Sequence, residues 1–210
     1  MAAALRWYLR VLAKHPYKTQ SSTTGGLMAV GDVVAQFVVE KKSVDEYSGK
    51  RTGRFLVFGM FVLGPLLRTW YLVLDRIIVS PPSGLTTLKK VALDQLMFAP
   101  MVLPFFLGTM SYWRTHSIET AKEKVIQDYR AVLLTNYKIW PAAQLINFYF
   151  VPFQHRILYT NCIALYWNVY LAYKTEVKTN SELELTEAME QSDLEVTEEG
   201  KPTENKPVVH

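Results

Sequence analysis

FLVFGMFVLGPLLRTWYLVLDRIIV, residues Phe55 to Val79, decides the fold class of this 210-residue chain. As a helix it measures about 37 Å at 1.5 Å per residue, more than the roughly 30 Å of a bilayer's hydrocarbon core. Thr19–Val39 and Val91–Trp113 are similar, although the first half of Thr19–Val39 is small and polar. A fourth apolar region, Ile139–Tyr173, is about 50 Å long as a helix, too long for one upright span. Pro152, followed by Gln154, His155 and Arg156, offers a break there. Sustained apolar–polar alternation is missing, and lipid admits only helices or closed barrels as spanning structure. The reading is therefore an all-α integral membrane helical bundle with about four spans, near 19–39, 55–79, 91–113 and 139–173, broken near 152–156. A soluble all-α protein with four buried helices is the alternative.

Charge divides the chain in two. Residues 174–210 hold ten acids against four lysines, a net −6, which leaves residues 1–173 at +10 within a total of +4. Residues 1–174 are read as the multi-span membrane domain and 175–210 as an acidic, disordered tail, low in aromatics and rich in Glu, Ser and Thr. No acid precedes Asp32, whereas Arg6, Arg10, Lys14 and Lys18 do. Leu5, Tyr8, Leu9 and Leu12 share one side of an amphipathic N-terminal helix. This suits either mitochondrial import or a helix lying on an anionic membrane surface. The connectors are 41–54, 81–90 and 114–138. The last has helical spacing at Ile118, Ala121, Val125 and Tyr129 and reads as an interfacial helix, or one over the bundle mouth. The single cysteine, Cys162, excludes an internal disulfide and reads as core packing.

Every apolar run carries polar residues. Ser21, Gly25 and Ala29 form a small-residue stripe that lets helix backbones approach closely, continued by Asp32 and Gln36. Arg68 and Asp75 lie two turns apart. Asp94 and Gln95 precede Pro100 and Pro104. Gln144 and Asn147, three apart, share one helix face, and Arg156, Asn161 and Asn168 follow. A charge at the bilayer centre costs at least ~2.5–3.5 kcal/mol, so these groups should face inward. Asp32, Asp75 and Asp94 have Arg68 and Arg156 as available partners. Two readings stand side by side: polar glue between helices, and the lining of a water-filled path.

No nucleophile elbow, phosphate loop or dinucleotide motif occurs, and His15, His116, His155 and His210 lack ligand spacing. We expect no enzyme activity, no metal and no cofactor. The basic charge flanks apolar spans, so membrane lipid is a simpler partner than nucleic acid, for which no direct binding is expected.

An ordered series of landmarks carries a family resemblance: His15-Pro16, Thr19-Gln20, Gly31-Asp32, Gln36, Gly64-Pro65, Trp70-Tyr71, Leu74-Asp75-Arg76, Asp94-Gln95 and Ala99-Pro100. It continues through Asn136, Trp140-Pro141, Gln144, Asn147-Phe148, Val151-Pro152, Arg156, Trp167-Asn168 and Tyr170-Leu171. The chain resembles the family of 22-kilodalton peroxisomal membrane proteins and their mitochondrial inner-membrane relatives, over residues 4–174. GDVVAQFVVEKK (31–42) and QLINFYFVP (144–152) look most like the founding mitochondrial inner-membrane member, linked to mitochondrial DNA depletion. Arg68 departs from the small or neutral residue expected there. The resemblance implies four spans, no catalytic chemistry and a channel-like protein of the mitochondrial inner membrane, or alternatively of the peroxisomal membrane. It further implies ties to membrane potential, reactive-oxygen control and mitochondrial DNA maintenance. Expected partners are lipid, small solutes or ions, and further copies of the chain. The inward polar candidates are Asp32, Gln36, Arg68, Asp75, Asp94, Gln95, Gln144, Asn147 and Arg156. A non-conducting scaffold using 114–138 and the tail is the competing expectation.

Overall fold

The computed structural model describes residues 2–79, 83–151 and 159–176. The expected break near 152–156, Arg156 and the tail beyond residue 176 lie outside these residues, while residues 175 and 176, read as tail, are helical. Six helices follow in order: α1 (Ala2–Lys14), α2 (Pro16–Val39), α3 (Gly49–Ile77), α4 (Gly84–Thr115), α5 (Ile118–Tyr149) and α6 (residues 159–176). No strand occurs among the described residues. Helices α2, α3 and α4 are each long and apolar enough to cross a membrane.

All three spans begin earlier than hydropathy suggests. Ser48 and Ser83 each accept a hydrogen bond from the backbone N–H three residues on, of Arg51 and Thr86. These N-caps start α3 and α4 inside segments that read as connectors. Ser117 caps α5 through Thr120 in the same way. The 114–138 connector is not a separate interfacial helix, because α5 runs without interruption to Tyr149. The stripe Val125, Tyr129, Val132, Asn136, Trp140, Ala143 and Asn147 keeps one face turned inward across that whole length. Ile118, by contrast, is exposed.

Prolines shape the spans. Pro65 and Pro100 cannot donate to the carbonyls of Phe61 and Leu96, four residues back. Each follows a π-helical turn, Gly59–Leu63 and Asp94–Phe98, which opens the backbone where that bond is missing. A third such turn, Ala35–Val39, ends α2. Pro104 leaves the Pro100 carbonyl free, and the Tyr129 hydroxyl donates to it at 3.2 Å, tying α4 to α5.

Helices α2 and α3 meet backbone to backbone. A Cβ on Gly59 would stand 2.7 Å from the Gly25 Cα, and one on Gly64 2.6 Å from the Ser21 Cα. Ser21 and Gly25 thus carry the contact, while the next buried position is Met28 and not the expected Ala29. On the opposite flank, a Cβ on Gly31 would meet the Cβ of Asn168 at 2.6 Å, so α6 packs as closely. Phe55, Phe58, Phe106, Leu107, Met110, Val132 and Leu171 fill the core. Phe58 and Phe106 meet edge to face at 5.4 Å, a geometry worth about 0.5–1.5 kcal/mol beyond burial. Cys162 is exposed, which corrects its reading as core packing; on α6 the inward positions go to Trp167, Asn168, Leu171 and Ala172.

Two buried ionic clusters hold α6. Arg51, on the first turn of α3, pairs with Asp32 and forks onto Glu40 at 2.8 and 2.7 Å. It also donates to the Ala172 carbonyl at 3.3 Å. Gln36 and Thr52 donate to the second Asp32 oxygen at 2.8 and 2.6 Å. In the second cluster Asp128 takes Lys124 at 2.9 Å and Lys174 at 3.1 Å. Burial alone would raise the Glu40 and Asp128 carboxyls; Arg51 and Lys42, and Lys124 and Lys174, more than reverse this and hold both below the ordinary range.

Gly59→Leu or Gly64→Val should lower the unfolding midpoint in detergent by about 1–3 kcal/mol of stability through overpacking. Gly26→Ala, where nothing lies within 4 Å, should not. A carboxyl whose folded pKa is depressed stabilises above its unfolded value and loses that contribution as pH falls through the folded one. The midpoint should therefore stay level down to the ordinary Glu value of 4.5 and then decline. Glu40→Gln should make that acid decline shallower.

Candidate functional site

A cavity of about 470 Å³ lies inside the bundle, with all six helices contributing to its wall. Its apolar wall includes Leu12, Leu27, Leu63, Phe98, Leu103, Trp140 and Trp167. Its polar groups come from all six helices: Tyr8 on α1, Gln20, Thr23 and Thr24 on α2, Tyr71 on α3, Asp94 and Gln95 on α4, Asn136, Gln144 and Asn147 on α5, and Thr160, Asn161 and Asn168 on α6. Among the described lining residues Asp94 carries the only formal charge. The amphipathic α1 does not lie apart from the bundle: Tyr8 and Leu12 close one side of the cavity, and the Thr23 hydroxyl donates to the Tyr8 hydroxyl at 3.3 Å.

The π turn of α4 puts Asp94 and Gln95 side by side on the wall. Trp70 on α3 stacks on Phe98 at 5.2 Å and donates its indole N–H to Asp94 Oδ1 at 2.9 Å. Gln95 Nε2 donates to Asp94 Oδ2 at 2.9 Å, and Asn136 Nδ2 donates to Gln95 Oε1 at 2.6 Å. A carboxylate only accepts, so it fixes the Gln95 amide with nitrogen toward Asp94 and oxygen toward Asn136. The result is a directed relay from α3 across α4 to α5. Asn147 donates to the Thr160 hydroxyl at 3.2 Å, and among the described residues its buried Oδ1 accepts nothing. Gln144, Asn161 and Asn168 face the cavity, and no side-chain hydrogen bond of theirs is found among the described residues.

The sequence-predicted residues separate into groups. Asp94, Gln95, Gln144 and Asn147 converge on the cavity. Asp32 and Gln36 do not; they belong to the Arg51 cluster at the far end of α2. Asp75 is exposed and pairs with Lys90 at 2.6 Å. Arg68 points toward Tyr17, its guanidinium carbon 6.0 Å from the ring centre. The expected pairing of the aspartates with Arg68 is not formed: Asp32 pairs with Arg51, Asp75 pairs with Lys90, and Asp94 accepts from Trp70 and Gln95. Asn136 and Thr160 were not among the site candidates. Asn136 lies on the inward stripe of α5 inside the segment, 114–138, that reads as a connector.

Replacing Asn136 with Leu removes the side-chain donor to Gln95 Oε1, a buried acceptor, and should cost about 1–3 kcal/mol in a detergent unfolding measurement. Gln144→Met, which breaks no such bond, should leave the midpoint within about 0.5 kcal/mol.

The Mpv17 / PMP22 family model matches residues 111–172, which cover the end of α4, all of α5 and most of α6. Over 175 residues the chain is 43% identical to the mitochondrial inner membrane protein Mpv17 of Xenopus laevis, covering 83% of this chain and 98% of that one. The human protein of that name is 41% identical over 172 residues, covering 82% and 97%. Protein SYM1 of Gibberella zeae is 40% identical over 174 residues, covering 82% and 98%. No solved structure matches the chain. With relatives at this identity aligned along nearly their full length, the chain belongs to the Mpv17/PMP22 family and is a multi-pass protein of the mitochondrial inner membrane.

Proposed function

We propose that the central cavity is part of a path by which this protein passes small solutes or ions across the inner membrane. One observation carries the reading: Gln144, Asn161 and Asn168 present amides to the cavity without a hydrogen bond to any described residue. Amides that serve as glue between membrane helices are paired with one another or with backbone. Unpaired ones inside an apolar bundle need water or a solute to satisfy them. The outer faces supply the complementary surface, with Val38, Phe61 and Met101 exposed on the three spans and facing lipid.

The family resemblance supports the wider role: solute or ion passage that contributes to membrane potential, redox homeostasis and mitochondrial DNA maintenance. The reading includes no catalytic step, and lateral assembly of copies through the exposed apolar faces would leave it unchanged. In planar bilayers the purified full chain should give discrete openings, and Asp94→Asn should shift their ion selectivity. A silent bilayer with folded, inserted protein would overturn the conducting path and favour a scaffold whose polar residues serve only cohesion.

A further inference from the structure

The hydrogen bonds within the cavity wall give it a polarity. Asn136 spends its N–H on Gln95, and Asn147 spends its N–H on Thr160. Each amide keeps a second N–H as well as its oxygen, and the Asn147 oxygen is buried, so the fixed sign of the wall comes from Asp94. Asn136 donates into a relay that ends on a carboxylate, which makes its own oxygen a stronger acceptor. Asp94 adds negative charge, and no Lys, Arg or His lines the cavity among the described residues. The wall amides offer both donors and acceptors, so Asp94 sets the preference. Trp140, Trp167, Phe98 and Phe106 supply flat apolar walls that favour an aromatic ring or a cation over a ring face. The volume, about 470 Å³, falls in the range of small-molecule sites.

From these features we propose that the cavity binds a small organic hydrogen-bond donor, cationic or neutral, with a flat apolar face, and discriminates against anions. This rests on the cavity admitting solutes, and deepens that reading by naming the class. Asp94 sets the sign; Gln144 contributes an amide; the tryptophans hold the ring.

Three probes with one ring and different ends test it: tyramine with an ammonium, 2-(4-hydroxyphenyl)ethanol with a hydroxyl, and 4-hydroxyphenylacetate with a carboxylate. Binding to the purified full chain in non-ionic detergent is measured by titration calorimetry. The expected order is ammonium, hydroxyl, carboxylate, with the carboxylate at least about tenfold weaker than the ammonium, the scale of one charge-assisted hydrogen bond. Asp94→Asn should erase the gap between ammonium and hydroxyl. Gln144→Met should weaken all three while leaving the unliganded unfolding midpoint in place. A carboxylate that binds as well as the amine, no binding of any probe at millimolar concentration, or an unchanged order in Asp94→Asn would each overturn the proposal. Equilibrium binding needs no conductance. Amine binding with a silent bilayer would keep this inference and remove the channel; openings with carboxylate preference would do the reverse.

Discussion

A membrane helix that contains proline forfeits a backbone hydrogen bond in a solvent that offers no substitute. This bundle is organised around that constraint. Pro65 and Pro100 each follow a π-helical turn, and the carbonyl that Pro104 leaves free is taken by the Tyr129 hydroxyl. The second of these turns carries Asp94 and Gln95, and thereby the relay that reaches Trp70 on one side and Asn136 on the other. The first carries Gly59, whose missing side chain admits the backbone of α2. Cavity wall and helix packing both follow from how the chain accommodates its prolines.

Polar residues inside the bundle divide by whether the protein satisfies them. Asp32, Gln36, Arg51 and Thr52 saturate one another, and breaking a buried pair by removing one partner is far more costly than the pair is worth. Gln144, Asn161 and Asn168 lack such partners among the described residues and border the cavity. Gln36 and Gln144 are the same residue type, each set in an apolar run. Only their surroundings assign one to cohesion and the other to a wall.

Much of the fold was legible because length, apolarity and missing alternation leave few other solutions in lipid. The inward convergence of Gln144 and Asn147 was legible from a spacing of three. Helix starts were harder, since Ser48, Ser83 and Ser117 announce caps by chemistry that hydropathy does not register. The continuity of α5 was missed at Lys138, where a charged residue suggested an edge although the inward stripe continued through Trp140 and Ala143. Partner choice was not legible at all. Asp32 and Arg51 are 19 positions apart and meet only because the chain reverses between α2 and α3.

Both ionic clusters depend on the end of α6, through the Ala172 carbonyl and Lys174. This matters for biogenesis. Arg51 emerges from synthesis more than a hundred residues before the carbonyl it finally meets, and Asp128 precedes Lys174 by about a helix and a half. A nascent chain nonetheless has its buried charges matched before α6 arrives, and what α6 adds is an acceptor for Arg51 and a second cation for Asp128, so its docking completes both clusters without having to neutralise them.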